Sequence, residues 1–217
     1  YDQVVHLSRL AEGRYDVPLS NIVFMGMGEP LLNYKNVLGA IDKITGTPGL
    51  GMSPKRITVS TAGIAKMIKK LGDDEVRFNL ALSLHAANDK KRSEIMDIND
   101  TNNLEALADA LKYFYDKTGT RVTYEYIIFR DFNDTLEDAR ELAEFCKNVP
   151  CKINIIEYNP IDDGEFQQAD EDKVDAFAAF LERCNLVVNV RRSRGKDIDA
   201  ACGQLANKNE VAKKKTA

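Results

Sequence analysis

Five short stretches of this chain combine residue types that can do chemistry. Gly26-Met27-Gly28-Glu29-Pro30 follows the apolar run Ile22 to Met25. An apolar run emptying into glycines reads as a buried strand whose end a ligand can approach closely, because glycine has no Cβ. Glu29 sets a carboxylate beside that backbone, suited to an ammonium group or a ribose; the plainer reading is a cap on the next helix. Ser60-Thr61-Ala62-Gly63 offers hydroxyls at a second strand end, or a helix cap. Ser83-Leu84-His85 ends a third strand, with His85 either a structural hydrogen-bonder or a site residue. Asn159-Pro160 is a turn signal whose amide can also read a purine edge or a ribose hydroxyl. Cys202 lies between small residues in Asp197-Ile198-Asp199-Ala200-Ala201-Cys202-Gly203-Gln204-Leu205. Structural cysteines usually have larger apolar neighbours. Here the flanking Ala and Gly leave the thiol accessible, so Cys202 reads either as a reactive thiol, whose thiolate Arg191, Arg192, Arg194 and Lys196 would favour, or as an unreactive structural one.

The elements that must position these residues alternate. Residues 2–12 read as an amphipathic helix, 21–25 as a strand and 34–44 as a helix with Val37, Leu38, Ile41 and Ile44 on one face. Strands follow at 56–60, 78–84, 121–128, 152–157 and 186–190. Between them lie a helix to Leu71, a short helix from Asp89, a helix capped near Asn103 that carries Leu104, Leu107, Leu111 and Phe114, one capped by Thr135, and one opened by Asp170. Repeated βα units imply parallel strands with right-handed crossovers, in an open doubly wound sheet or a (β/α) barrel. Polar or small residues recur at the strand ends, which favours the barrel, where all such ends meet on one face.

The bulk numbers set limits. With 217 residues, 44% hydrophobic and 29% charged, the chain is globular and of one-domain size. That is enough to bury roughly 70% of its extended-chain surface. No apolar run approaches the ~18 residues of a membrane span, and no signal peptide is visible. Four cysteines without C-x-x-C spacing and only two histidines argue against a zinc site. Scattered thiols without a secretory signal point to a reducing, cytoplasmic setting. A net charge of −4 is not that of a general polyanion binder. Two local clusters, Lys90-Lys91-Arg92 and the Arg191 to Lys196 run, are the candidate phosphate contacts, or else solvated surface.

Taken together and in order, Gly26-Met27-Gly28-Glu29-Pro30-Leu31, Ser60-Thr61-Ala62-Gly63, Ser83-Leu84-His85-Ala86, Tyr158-Asn159-Pro160 and the Arg194 to Leu205 segment resemble the radical S-adenosylmethionine (SAM) RNA methyltransferases of the RlmN/Cfr type. The resemblance runs over residues 1–206, with 207–217 left as a Lys-rich tail expected to be disordered. It implies a partial (β/α)6 TIM-like barrel. It implies SAM contacts at Gly28, Glu29, Ser60, Ser83, Leu84, His85 and Asn159, and makes Cys202 the cysteine that is methylated during the reaction. In such a mechanism a first SAM methylates Cys202. A second is cleaved by a reduced [4Fe-4S] cluster to a 5′-deoxyadenosyl radical, which takes hydrogen from that methyl. The resulting carbon radical adds to an adenine ring carbon, and a second cysteine pairs with Cys202 to release methylated RNA. The implied substrates are 23S rRNA and tRNA, with an electron donor for the cluster. C2 is preferred over C8 as the position because the C2 branch is the more widespread. Arg191, Arg192, Arg194 and Lys196 are the candidate RNA contacts.

One departure matters. The resemblance calls for a Cys-x-x-x-Cys-x-x-Cys cluster motif, and no such triplet exists here. The chain is therefore expected to be a C-terminal catalytic-domain fragment, inactive alone, without the first barrel strand, the cluster loop or the second cysteine. Its opening strand is then expected to be an edge open to pairing with another chain. A radical SAM enzyme acting on a small molecule and a non-catalytic SAM- or RNA-binding module are the competing readings.

Overall fold

A computed structural model describes residues 1–160 and 165–192. Its elements alternate along the chain: α1 (Asp2–Tyr15), β1 (Ile22–Phe24), α2 (Tyr34–Thr45), β2 (Ile57–Thr61), α3 (Ala65–Asp73), β3 (Asn79–Ser83), α4 (Asp89–Ile95), α5 (Leu104–Thr118), β4 (Val122–Ile128), α6 (Leu136–Phe145), β5 (Cys151–Glu157), α7 (Glu171–Arg183) and β6 (Val188–Arg191). The six strands form one parallel sheet in the order β1-β2-β3-β4-β5-β6. That order never reverses. With the right-handed crossovers that parallel strands adopt, the helices connecting the strands are carried to the same face of the sheet. The open doubly wound alternative, which needs a reversal, is thereby ruled out, and the partial-barrel expectation holds. Among the described residues β1 pairs only with β2 and is an edge.

The two faces of the sheet differ as period-two alternation requires. Ile57, Val59, Leu80, Leu82, Val122, Tyr124, Tyr126, Ile128, Ile153 and Ile155 are fully buried under the helices. They meet Ile68 and Leu71 from α3, Leu107, Leu111 and Phe114 from α5, Leu142 from α6, and Phe177 and Leu181 from α7. Each such side chain contributes roughly 1.5–3 kcal/mol by leaving water. Helix ends follow their sequence signals. Asn103 accepts from Ala106 N at 3.0 Å, and Thr135 and Asp138 close a reciprocal capping box.

The opposite, inner face carries the residues between: Thr58 and Ser60 on β2, Asn79 and Ser83 on β3, Thr123 and Glu125 on β4, Lys152 and Asn154 on β5, Asn189 and Arg191 on β6. Val23, Ala81, Ile127 and Ile156 share this face, and the rest of it is polar. In a barrel it lines the interior, where side chains or a bound molecule must fill the space.

Two expectations need correction. The sequence pattern ends the last strand at residue 190 and puts Arg191 beyond it. Arg191 is the final residue of β6, in register with Ile156, because pairing with β5 runs one residue further than local pattern suggests. The Lys90-Lys91-Arg92 run is not a basic surface. Arg92 is fully buried, and Lys91 donates to Asp138 and to the Phe132 carbonyl, both at 2.6 Å. No helix among the described residues is long and apolar enough to cross a membrane.

Candidate functional site at the strand ends

The Gly28-Glu29 loop is built by backbone constraint. Gly28 has φ +77°, a left-handed conformation that favours glycine, and no atom lies within 4 Å of where its Cβ would be. The loop is therefore open beside Gly28. Glu29 turns inward. Its Oε1 accepts from Leu31 N at 2.9 Å and its Oε2 from Ala62 N at 2.7 Å. The helix-cap reading of Glu29 is thus realised, and the same carboxylate ties the β1 loop to the end of β2. Each oxygen keeps a second lone pair for a ligand cation. Glu29→Ala is expected to cost about 1–2 kcal/mol of stability, since two charge-assisted bonds at a partly exposed site are lost. A urea midpoint equal to that of wild type would show that the carboxylate does not hold the loop.

Ser60 and Ser83 meet across the β2–β3 ladder with their hydroxyls 3.4 Å apart. Thr61 points the other way, to the helices, and accepts from Gly63 N at 3.1 Å. The helix-cap reading of this stretch is not realised: Thr61 closes a local turn ahead of α3, whose N-cap Ile64 makes no side-chain cap bond and whose Ala65 N donates to Asn102 Oδ1 at 2.9 Å, while Ser60 is left on the inner face.

His85 sits just past β3 with φ +57°, unusual for a residue with a side chain. Three bonds hold it there. His85 N donates to the Glu125 carbonyl at 3.3 Å, Asn133 Nδ2 donates to the His85 carbonyl at 2.7 Å, and Ile127 N donates to His85 Nδ1 at 3.1 Å. An Nδ1 that accepts cannot carry the proton, so the neutral ring is protonated on Nε2. Burial, with the Arg92 charge behind it, pulls the His85 pKa down to about 4.

Two buried polar residues that the sequence does not advertise hold these strand ends. Arg92 donates from Nε to the Leu84 carbonyl at 3.1 Å, from Nη1 to Asn99 Oδ1 at 2.8 Å, and from Nη2 to the Ala62 and Ser83 carbonyls at 2.6 and 3.2 Å. It joins the ends of β2 and β3 from behind. Asn133 is equally buried; it also donates to the Ile127 carbonyl at 2.8 Å and accepts from Phe129 N at 2.7 Å.

The remaining expected residues are more dispersed. Leu84 is fully buried. Its backbone N donates to the Glu125 carbonyl at 3.0 Å. Asn159 follows β5, and its amide lies 3.5 Å from the carbonyl of Glu157. Arg191 reaches the inner face, 3.7 Å from Glu125 Oε2. Arg192 is engaged by Glu171, by Asp175 at 3.0 Å and by Glu157 at 3.6 Å, which leaves little of its charge for phosphate. Cys202, Arg194, Lys196 and the tail from residue 207 lie outside the described residues.

The geometry thus brings Gly28, Glu29, Ser60, Ser83 and His85 to the strand ends on one face. They supply an open backbone loop, an inward carboxylate, two hydroxyls and a neutral imidazole. That set suits a polar molecule with an ammonium group and hydroxyls. A cluster is another matter: among the described residues no group of three His, Cys, Asp or Glu side chains could hold a metal ion.

Comparison with known proteins fits this arrangement. No family model matches the sequence. A curated protein of Christiangramia forsetii named "Probable dual-specificity RNA methyltransferase RlmN" is 62% identical over 96% of this chain and 59% of its own length. A protein of the same name from Cytophaga hutchinsonii is 62% identical over 96% of the chain and 57% of its own. The crystal structure of a radical SAM methyltransferase from Sphaerobacter thermophilus superposes with a TM-score of 0.90 at 36% identity, covering 94% of this chain and 59% of that one. The chain thus spans somewhat under two thirds of the proteins it matches. At such identity over nearly its whole length, the chain belongs to the RlmN family of radical SAM RNA methyltransferases.

Proposed function

We propose that this chain is the SAM-binding and methyl-carrying part of an enzyme that methylates an adenine ring carbon, C2, in 23S rRNA and tRNA. The observation that carries the reading is the joint placement of Glu29, Ser60, Ser83 and His85 at the strand ends in a chain of this family. When bound, SAM supplies an electrophilic methyl group and, beside a reduced cluster, a hydrogen-abstracting carbon radical. The protein's share is binding and orientation. Glu29 takes the ammonium of the amino-acid end while Gly28 lets the backbone close on it. Ser60 and Ser83 bond to hydroxyls, and His85 presents Nε2–H as a donor that does not change charge near neutrality. The Cys202 thiolate is the nucleophile for the first methyl, and Arg191, Arg194 and Lys196 meet phosphate, Arg192 being held by its own carboxylates.

The described residues do not fit the [4Fe-4S] cluster, and the sequence has no Cys-x-x-x-Cys-x-x-Cys triplet. The cluster and its electron donor are therefore assigned to a longer protein that contains this chain, and this chain alone is expected to give no turnover. Iron–sulfur reconstitution and an assay of rRNA and tRNA substrates by nucleoside mass spectrometry tests both points. The intact protein is expected to form 2-methyladenosine, and Cys202→Ala to abolish it. An 8-methyl product would move the enzyme to the other branch. Methylation by the 217-residue chain alone would overturn the division of labour.

A further inference from the structure

Ser60, Ser83, Glu125, Asn154 and Asn189 stand side by side across the inner face of the sheet. The strand register sets Ser83 against Glu125, Glu125 against Asn154 and Asn154 against Asn189. Neighbours in such a row have Cβ atoms about 5 Å apart. Asn189 Nδ2 donates to Asn154 Oδ1 at 3.2 Å, and Asn154 Nδ2 donates to Glu125 Oε1 at 2.8 Å. At the other end the Ser60 and Ser83 hydroxyls lie 3.4 Å apart. The polar row is broken at one place, between Ser83 and Glu125.

At that break Glu125 Oε2 is buried, in a residue only 4% exposed, and no donor reaches it among the described residues. The nearest cation, Arg191 Nη1, is 3.7 Å away on a side chain that is 56% exposed. A buried carboxylate oxygen without a donor is costly, and native proteins seldom keep one without a reason. Glutamine would serve Asn154 equally well without the charge. Burial raises the pKa of Glu125 against the opposing pull of Asn154, Arg191 and Lys152, so the ionised group weighs against the fold. Groups that burden stability at the edge of a pocket are those retained for binding or catalysis.

We propose that Glu125 is a ligand-binding residue whose Oε2 accepts a hydrogen bond from a hydroxyl or exocyclic amine of an adenosine lying against Ser83. The inference rests on reading the strand-end face as the SAM pocket. Two sources present the same adenosine chemistry there, the cofactor and the target nucleoside. Glu125→Gln keeps size and the Asn154 contact but replaces the free acceptor. The test compares it with wild type in the intact protein by calorimetric titration, with S-adenosylhomocysteine in one arm and an adenine-bearing RNA hairpin in the other, and by urea unfolding. The variant is expected to bind one of the two about tenfold more weakly or worse, with a urea midpoint no lower than wild type. Loss in the first arm assigns the contact to the cofactor, and loss in the second to the target. Glu125→Asp, which keeps the charge but withdraws it by one methylene, is expected to show the same loss and guards against a misfolded glutamine variant. Equal binding by all three proteins would overturn the inference and leave the pocket standing. A lowered midpoint with unchanged binding would also overturn it, making Glu125 only a structural partner of Arg191. Failure of wild type to bind either probe would overturn the pocket itself, and this inference with it.

Discussion

Arg92→Met is expected to lower the stability of the fold by about 3 kcal/mol, and Arg92→Ala by about 4–5 kcal/mol. Two opposing effects set the sign. Burial holds the Arg92 pKa down to about 10, so the guanidinium stays charged at neutral pH but at a cost that methionine would remove. Against this, the guanidinium donates to the Leu84, Ser83 and Ala62 carbonyls and to Asn99 Oδ1. Methionine fills much of the space and supplies no donor, and each buried acceptor left short costs about 1–3 kcal/mol. Four such losses outweigh the relief of one desolvated charge. Alanine adds a cavity where the side chain was fully enclosed. Arg92→Lys keeps charge without the planar fork and is expected to fall between wild type and methionine. Urea midpoints at constant slope make the comparison, and a methionine variant as stable as wild type would show that the strand ends do not depend on this residue. Because Ala62 also donates to Glu29, and Ser83 faces Ser60, the destabilised variants are expected to lose ligand affinity as well.

How much of this was legible in the sequence depends on whether the deciding contacts are local. The helix carrying Leu104, Leu107, Leu111 and Phe114 and its Asn103 cap were readable, because both depend on spacing within a few residues. The alternation of Val122, Tyr124, Tyr126 and Ile128 named the buried face of β4 correctly. The same alternation puts Glu125 on the inner face, so the signal for that carboxylate was present beside the aromatic residues that drew attention away from it. The strand-end positions of Glu29, Ser60, Ser83 and His85 were readable from the βα rhythm. What each side chain touches was not. Glu29 holds Ala62, thirty-three residues later, and Asn133 holds His85 from forty-eight residues away. Arg92 is the clearest failure. In sequence it belongs to a basic run and looks solvated. Its burial is decided by carbonyls from two other strand ends, which no window around Lys90-Lys91-Arg92 contains.

Acid is expected to weaken the fold through His85, between about pH 6.5 and pH 4. The group's ordinary pKa is 6.5 and its folded value is about 4, so in that window the unfolded chain binds a proton that the folded chain refuses. Stability carried by the neutral ring is complete above the unfolded value and is lost as pH falls through the folded one. That lowering corresponds to about 3 kcal/mol. Carboxylates add their own acid dependence, so the contribution must be isolated by difference. His85→Asn suits that purpose. Asparagine tolerates the left-handed backbone at φ +57° better than most residues, can accept from Ile127 N, and does not titrate. Urea unfolding across this range is expected to give converging stabilities for wild type and variant as pH falls, the wild-type advantage at pH 7 vanishing near pH 4. The only other histidine, His6, lies exposed on α1, so the variant also assigns the two imidazole signals in a proton NMR titration. A His85 midpoint near 6.5 would overturn both the burial argument and the tautomer. The expected low midpoint has a functional consequence. With Nδ1 occupied by Ile127 N and the ring uncharged, His85 Nε2–H is a hydrogen-bond donor at neutral pH, and under the proposed function its part is to orient the ligand rather than to deliver a proton to it.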